Sequence, residues 1–553
     1  MADDVHTPPT DAGGGVGPVT PSGGPPAPAR ELTDEEKLHQ MGYAQELARR
    51  FSRFNNFAIS FTIISILSGC LTLYYFGLQH GGPPVMLWGW LLVGGIVLLV
   101  GLSMAEICSS FPTAGGLYYW AAKLAPGNSA PIWSWFTGWF NLLGQVAVTA
   151  GISFGCAYSV SAFLALYTNQ AYWLSPGHTM AILAVILFIQ GLLNTFSIRL
   201  VALINDISVW WHILGVLAIL IILLIAPSSH THQSASFLFG SQGWHAFAGL
   251  SGFSIPFYIF LVGLLNAQYT FTGYDASAHV TEETVQANIA GPKGIVDSIW
   301  VSLIFGFLLL FAVSIAIPTH YPVSIGGTVY KSATDIGALF VPWTVIFEYN
   351  AGRIAAELLI LVVIGAQFYC GTASVTANSR MIYAFSRDGA VPFSNYWHHV
   401  SHKRRVPVRT AWFGAVGAFI LSAPYLYSPV ANFAVTSIAV IGLYIAYLIP
   451  VFLRRINGKA FQPGPWVLNK TWGPIINWVA IVWVVFICII FMLPTYTPIT
   501  RLTFNYTPIA VAVVVGGAGI WYAVSARKWF KGPKVQGSPE ELAAIERELE
   551  LKD

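Results

Sequence analysis

Within its apolar runs the 553-residue sequence has two short patches whose residue types could hold a ligand. The first is Ser65-Ile66-Leu67-Ser68-Gly69, with two hydroxyls and a glycine in the middle of an apolar stretch. The second is Phe271-Thr272-Gly273-Tyr274-Asp275, a glycine with an acid beside it. A helix broken at either place would offer free N–H groups to an anion and free C=O groups to a cation. Ser68 and Gly69 serve helix–helix packing equally well. Asp275 is either an intramembrane acid, which marks a functional site, or the start of the polar run Thr281-Glu282-Glu283-Thr284 reaching water. His212 can change charge near neutral pH or act as a neutral strut between helices. Gln145 can line a cavity or bond a neighbouring helix. Enzyme chemistry has no support, because no His/Asp/Glu cluster, nucleophile elbow or metal-ligand spacing occurs. No G-x-x-x-x-G-K-[ST] phosphate loop is present, so ATP-driven transport by this chain, and any cofactor, is not expected. The five cysteines fall in or beside apolar runs with no C-x-x-C pair.

The elements that must position these patches follow from composition. Hydrophobic residues make up 55% and charged residues 9%, against roughly 25% charged in soluble domains, which excludes a soluble protein. A net charge of +3 gives no nucleic-acid-binding surface. Twelve apolar stretches approach the roughly 20 residues that cross a bilayer core: 56–77, 85–107, 133–165, 178–196, 202–226, 254–279, 295–318, 350–379, 409–427, 430–453, 474–493 and 506–525. Pro424 and Pro429 crowd the junction of the ninth and tenth. With both termini cytoplasmic, 20 Lys and Arg fall in inner loops and membrane-proximal tails and 3 in outer loops, the bias that fixes orientation. The patches thereby fall in spans 1 and 6, matching places in a five-plus-five arrangement and the best sequence pointer to a transporter binding site.

Outside the spans, residues 1–30 contain seven Pro and six Gly and read as a disordered tail. Residues 31–53 read as one amphipathic helix on the inner membrane surface: Thr33 and Glu36 have capping-box spacing, Leu38, Met41, Leu47 and Phe51 recur at helical intervals, and Arg49, Arg50 and Arg53 meet the headgroups. Residues 54–526 form the membrane domain and 527–553 a charged, helical tail.

Four motifs in order carry a family resemblance. They are Met41-Gly42-Tyr43-Ala44-Gln45-Glu46-Leu47-Ala48-Arg49-Arg50-Phe51-Ser52 leading to Asn56-Phe57-Ala58, Phe111-Pro112-Thr113-Ala114-Gly115-Gly116-Leu117-Tyr118-Tyr119-Trp120, the Phe271-to-Asp275 patch, and Arg380-Met381-Ile382-Tyr383-Ala384-Phe385-Ser386-Arg387-Asp388-Gly389-Ala390. Over residues 40–530 the chain resembles permeases of the amino acid/polyamine/organocation superfamily, most closely the amino acid/choline transporter branch. The resemblance implies an all-α membrane fold of twelve helices, with inverted repeats of helices 1–5 and 6–10, two added helices, and helices 1 and 6 broken. It implies a substrate carboxylate on the backbone amides of Leu67, Ser68 and Gly69, an amino group on carbonyls of helices 1 and 6, and Phe271 as an aromatic gate. Some sodium-independent relatives carry a Lys where His212 falls, and this span has none.

The expected function is secondary active import of an amino acid or small amine such as γ-aminobutyrate across the plasma membrane. The site is expected to include Ser65, Leu67, Ser68, Gly69, Gln145, Phe271, Gly273, Tyr274 and Asp275, with a proton as coupling ion at His212. The alternatives are a choline or quaternary-amine carrier caged by Tyr74, Phe271 and Tyr274, an amino acid exchanger, and an amine-binding membrane sensor. Glu106, Lys123, Arg380, Arg387 and Asp388 read as cytoplasmic gate or topology residues, or as a solvated interface.

Overall fold

The computed structural model describes residues 32–551 apart from 197, 226–231, 402–404, 429–430 and 459–460. The tail expected over 1–30 lies outside the described residues, as do Pro429, Lys403, Arg404 and Lys459. Helix α1 (Asp34–Gln40) begins with the capping box legible in sequence: Thr33 Oγ1 accepts the Glu36 N–H at 3.1 Å and Glu36 Oε2 accepts the Thr33 N–H at 2.7 Å.

The amphipathic helix expected over 31–53 does not continue past Gln40. Tyr43, Ala44, Leu47 and Phe51 are all fully buried, so this segment is covered by protein and not by lipid headgroups. Its backbone pairs with the chain after span 6, where the Phe51 N–H donates to the Glu283 carbonyl at 2.8 Å and the Val285 N–H to the Phe51 carbonyl at 3.0 Å. Arg49 likewise spends its guanidinium on the carbonyls of Thr281 and Thr284.

The first apolar stretch forms α2 (Arg53–Ile64), α3 (Ile66–Thr72) and α4 (Tyr74–Gln79). Then come α5 (Gly82–Ser110), α6 (Leu117–Leu124), α7 (Ala130–Thr168), α8 (Pro176–Phe196) and α9 (Ile198–Ile225). The sixth stretch is divided into α10 (Pro256–Gly263), α11 (Leu265–Thr270) and α12 (Ala276–His279). Next are α13 (Ala287–Ile315), α14 (Pro342–Arg387), α15 (Val408–Ser422), α16 (Ala431–Ile456), α17 (Trp472–Ile490), α18 (Thr507–Trp521) and the tail helix α19 (Pro539–Leu551). A two-stranded antiparallel hairpin, Val323–Ile325 with Thr328–Tyr330, joins α13 to α14 and sets Ser324 opposite Val329.

Among the described residues, ten helices are long and apolar enough to cross a membrane. The stretches 254–279 and 409–427 are helical without meeting that test. The first is broken, and the second stops after the 15 residues of α15, where a 3-10 turn carries Pro424, whose ring and missing N–H do not continue an α-helix. The 39-residue α7 runs through the bundle against α14, α16, α15 and α8, while α5 packs on α13 and α17.

One end of the bundle is closed by buried charge. Arg380 and Arg387, on the last turns of α14, grip Glu283 and Glu282. Arg380 Nε and Nη2 each lie 3.0 Å from a Glu283 oxygen. Arg387 Nη2 and Nη1 lie 3.1 and 3.2 Å from those of Glu282, and the Arg387 guanidinium stacks 3.7 Å from the Tyr43 ring centroid. These fork-to-fork pairs are buried, which overturns the solvated-interface alternative for Arg380 and Arg387. Asp388 accepts hydrogen bonds from Tyr118 Oη at 2.7 Å, Tyr43 Oη at 3.2 Å and the Lys534 N–H at 3.0 Å.

Both tails lace onto this end. Gln536 accepts the Ala44 N–H at 2.8 Å and donates its own N–H to Gly42 at 2.9 Å. Glu546 of α19 accepts the Gln45 N–H at 2.6 Å and lies 2.8 Å from His39 Nε2. Glu283→Gln should cost about 3–5 kcal/mol because it strands a buried guanidinium. The double variant Arg380→Met with Glu283→Leu should recover most of that loss, as read by thermal unfolding in detergent.

Candidate functional site

The break in the first span falls at Ser65, which ends α2 and opens α3 in the left-handed region at φ 41°, ψ 80°. A non-glycine residue there costs roughly 1–2 kcal/mol, and two contacts hold it. Ser65 Oγ accepts the Ser68 N–H at 3.3 Å and donates to His212 Nε2 at 2.6 Å. His212 is buried on α9 with Nδ1 2.7 Å from the Ser208 carbonyl. A carbonyl only accepts, so Nδ1 carries the proton and Nε2 takes the Ser65 hydroxyl, the bonding pattern of a neutral imidazole. His212 therefore pins the break from the neighbouring helix.

Gly69, read from sequence as part of the interruption, is helical inside α3, and its N–H donates to the Ser65 carbonyl at 2.7 Å. Its lack of a side chain serves contact instead: a Cβ there would lie 2.5 Å from Thr270 Cγ2 on α11. Of the three amides expected to meet a carboxylate, Ser68 is capped and Gly69 is bonded within the helix. Leu67 stands in the first turn of α3, where N–H groups have no intrahelical partner.

The sixth span breaks over Phe271–Tyr274. Gly273 is at φ +86°, and a Cβ there would lie 2.2 Å from Ile63 Cγ2, so the backbone angle and the contact both demand glycine. The two breaks are stitched directly together. Ser60 Oγ lies 2.8 Å from the Tyr274 carbonyl and accepts the Ser277 N–H at 2.9 Å, while Asn266 Nδ2 donates to the Cys70 carbonyl at 3.2 Å. Around them Ser68 Oγ, Gln268 Nε2, Tyr269 Oη and Tyr274 Oη are buried without a hydrogen-bond partner. Four open polar atoms beside two broken helices make a place where a polar ligand would restore bonds that the protein leaves unmade.

The aromatic residues separate. Phe271 lies against Trp90 of α5 at 4.4 Å between centroids, with the rings tilted by 35°, and its carbonyl accepts from Tyr444 Oη at 2.6 Å. Tyr274 lies against Tyr447 at 4.9 Å, and Tyr74 Oη is 3.0 Å from Ser314 Oγ. No ring contact joins Tyr74, Phe271 and Tyr274 among the described residues.

Asp275 follows the break and is fully buried, so it does not reach water. Oδ1 accepts from Tyr447 Oη at 2.7 Å and Oδ2 from Gln145 Nε2 at 2.9 Å, with His279 Nε2 3.2 Å from Oδ2. Gln145 and Asp275, singled out separately, are thus direct partners. Tyr447, His279 and Asn141 complete the cluster. The i,i+4 spacing of Asp275 and His279 was a readable signal, whereas nothing local points to Tyr447, 172 residues away.

Residues 51–515 match the family described as amino acid permease. The chain belongs to that family. It is 44% identical to amino-acid permease BAT1 of Arabidopsis thaliana over 90% of this chain and 95% of that one. The corresponding rice homologue is 41% identical over 91% and 95%, and the GABA-specific permease of Saccharomyces cerevisiae 31% identical over 93% and 88%. The protein is therefore a multi-pass membrane permease of the amino acid class and a transporter, not an enzyme. Gly273→Val and Gly69→Val should each abolish uptake by this permease while leaving surface expression within about twofold, since membrane insertion follows hydropathy and not fit at the breaks. Labelled-substrate uptake beside surface biotinylation checks this.

Proposed function

We propose that this permease imports a small zwitterionic amino acid or amine, such as γ-aminobutyrate, by proton-coupled alternating access around the two broken helices. The observation that carries the reading is the pair of breaks at Ser65 and Phe271–Tyr274, held in contact and flanked by unpartnered polar atoms. The Leu67 N–H, in the first turn of α3, would meet the carboxylate end of such a substrate, and the positive end of the α3 dipole favours it. Carbonyls freed at the breaks take the ammonium, so a zwitterion is held without a full protein charge. Ser65, Ser68, Gly69, Phe271, Gly273 and Tyr274 form this site, with Phe271 closing it against α5. Gln145 and Asp275 stand behind it, because the oxygens of Asp275 already have protein donors.

In this reading, twelve spans comprise two inverted five-helix repeats and two further helices, and the tail-bearing end faces the cytoplasm of a cell whose plasma membrane holds the protein. The 20-to-3 charge bias supports that orientation, and the buried Arg380 and Arg387 pairs support a closed inner gate. The GABA-specific relative supports the substrate class. A quaternary-amine carrier has less support because Tyr74, Phe271 and Tyr274 contact three different partners.

Proteoliposomes offered labelled amino acids, γ-aminobutyrate, choline and a polyamine, without sodium and with an inward proton gradient, test this reading. Concentrative uptake of one zwitterion that collapses with a protonophore is expected. Uptake confined to preloaded vesicles would make the protein an exchanger, and binding without uptake would make it a sensor.

A further inference from the structure

At the inner end of the sixth span, Asp275 and His279 face each other one turn apart, with both side chains fully buried. His279 Nδ1 lies 3.0 Å from the Ala114 carbonyl, so that nitrogen carries a hydrogen. Nε2 is 3.2 Å from Asp275 Oδ2 and 3.2 Å from Asn141 Nδ2. A neutral imidazole with its hydrogen on Nδ1 accepts the Asn141 Nδ2 hydrogen at Nε2, and that same nitrogen lies against a carboxylate oxygen. An additional proton, on Nε2 as imidazolium or on Asp275 as the acid, would turn that contact into a hydrogen bond. In the imidazolium form the unpartnered Asn141 Oδ1 is available to turn toward Nε2.

The groups around this proton are otherwise neutral or already paired. Helix α7 contributes the amides of Asn141 and Gln145, and α16 contributes Tyr447, with Tyr444 committed to the Phe271 carbonyl. The loop before α6 contributes the Ala114 backbone and Gly116, and α2 reaches α12 through Ser60 and Asn56. Farther along the chain, Glu282 and Glu283 are neutralised by Arg387 and Arg380 of α14.

We propose that Asp275 and His279 together bind one proton, loaded in this closed arrangement and released when the tail-bearing end opens; the proposal rests on the proton-coupled reading above. With the proton bound, the pair has no net charge. Without it, one negative charge remains in the membrane interior, which is costly unless water or a cation reaches it. The cover over His279 is the gate itself. Ala114 holds His279 through its carbonyl and Glu282 Oε1 through its N–H at 3.0 Å, and Glu282 is gripped by Arg387. Parting Arg387 from Glu282 frees the Ala114 loop and admits water to the imidazole. The proton then passes to water, leaving a neutral imidazole and a carboxylate, with no other bond made or broken. Tyr447 carries occupancy to the substrate site, since its hydroxyl accepts the Gly273 N–H at 3.3 Å while donating to Asp275.

The test uses full-length permease in proteoliposomes loaded with a pH-sensitive dye and offered the zwitterion identified above. One proton per substrate predicts about tenfold accumulation for an inward gradient of about one pH unit, with acidification of the lumen on substrate addition. His279→Gln and Asp275→Asn should each bring accumulation down to equilibration and abolish that acidification, while exchange of labelled for unlabelled substrate, which needs no net proton movement, persists. Tyr447→Phe removes the hydroxyl that joins the carboxylate to the Gly273 N–H, so it should bring accumulation down toward equilibration while exchange persists.

Wild-type accumulation and acidification in His279→Gln would overturn the proposal. Should His279→Gln and Asp275→Asn fail to fold, wild-type accumulation in Tyr447→Phe would overturn it. Loss of coupling in His212→Gln with retention in His279→Gln would put the proton on His212 and overturn this proposal alone. Wild-type uptake with no proton movement would overturn the proton-coupled reading and this proposal with it.

Discussion

Backbone N–H and C=O groups cannot stand bare in hydrocarbon, and the architecture of this permease depends on where it breaks that rule. The chain interrupts its helix at Ser65 and again over Phe271–Tyr274, and it surrounds both interruptions with protein. His212, Ser60, Asn266, Tyr444 and Tyr447 each bring a side chain from another helix to a backbone or hydroxyl group that a continuous helix would have kept for itself. Ser68, Gln268, Tyr269 and Tyr274, on the segments that flank the breaks, keep buried polar atoms without a partner.

The same economy governs the end that bears the tails. Two arginines at the close of α14 meet two glutamates just after the sixth span, and an extended segment, not a surface helix, lies across them. Burial makes these pairs stringent: each charge is tolerable because its partner is in place. The C-terminal segment reinforces the closure by bonding to the same N-terminal stretch. Buried ion pair, helix break and acid are therefore contiguous, from Arg387 through Glu282 and Ala114 to His279, Asp275 and Tyr447. A movement at one end of this chain of contacts has a physical route to the other.

Individual residues show what sequence could and could not reach. The capping box at Thr33 and Glu36 forms because its bonds are local. Both breaks were legible, since hydroxyls and glycine in mid-span make sense only against protein or a cavity. The role of Gly69 was not legible: it is a contact with Thr270, and the left-handed residue is Ser65. Leu47 and Phe51 misled, because an apolar side chain spaced for an amphipathic face looks the same whether lipid or protein covers it.

Hydropathy by itself determined that the chain is a helical membrane protein and roughly where its helices run, because transfer into a bilayer depends on composition along a single segment, and the hydroxyls and glycines in mid-span marked which two spans are interrupted. Only the tertiary structure decided that Asp275 is buried among Gln145, Tyr447 and His279, that His212 pins Ser65, and that Arg380 and Arg387 close one end. Apart from the i,i+4 pair of Asp275 and His279, those facts are pairings between residues tens to hundreds of positions apart, and no local pattern specifies which helices become neighbours.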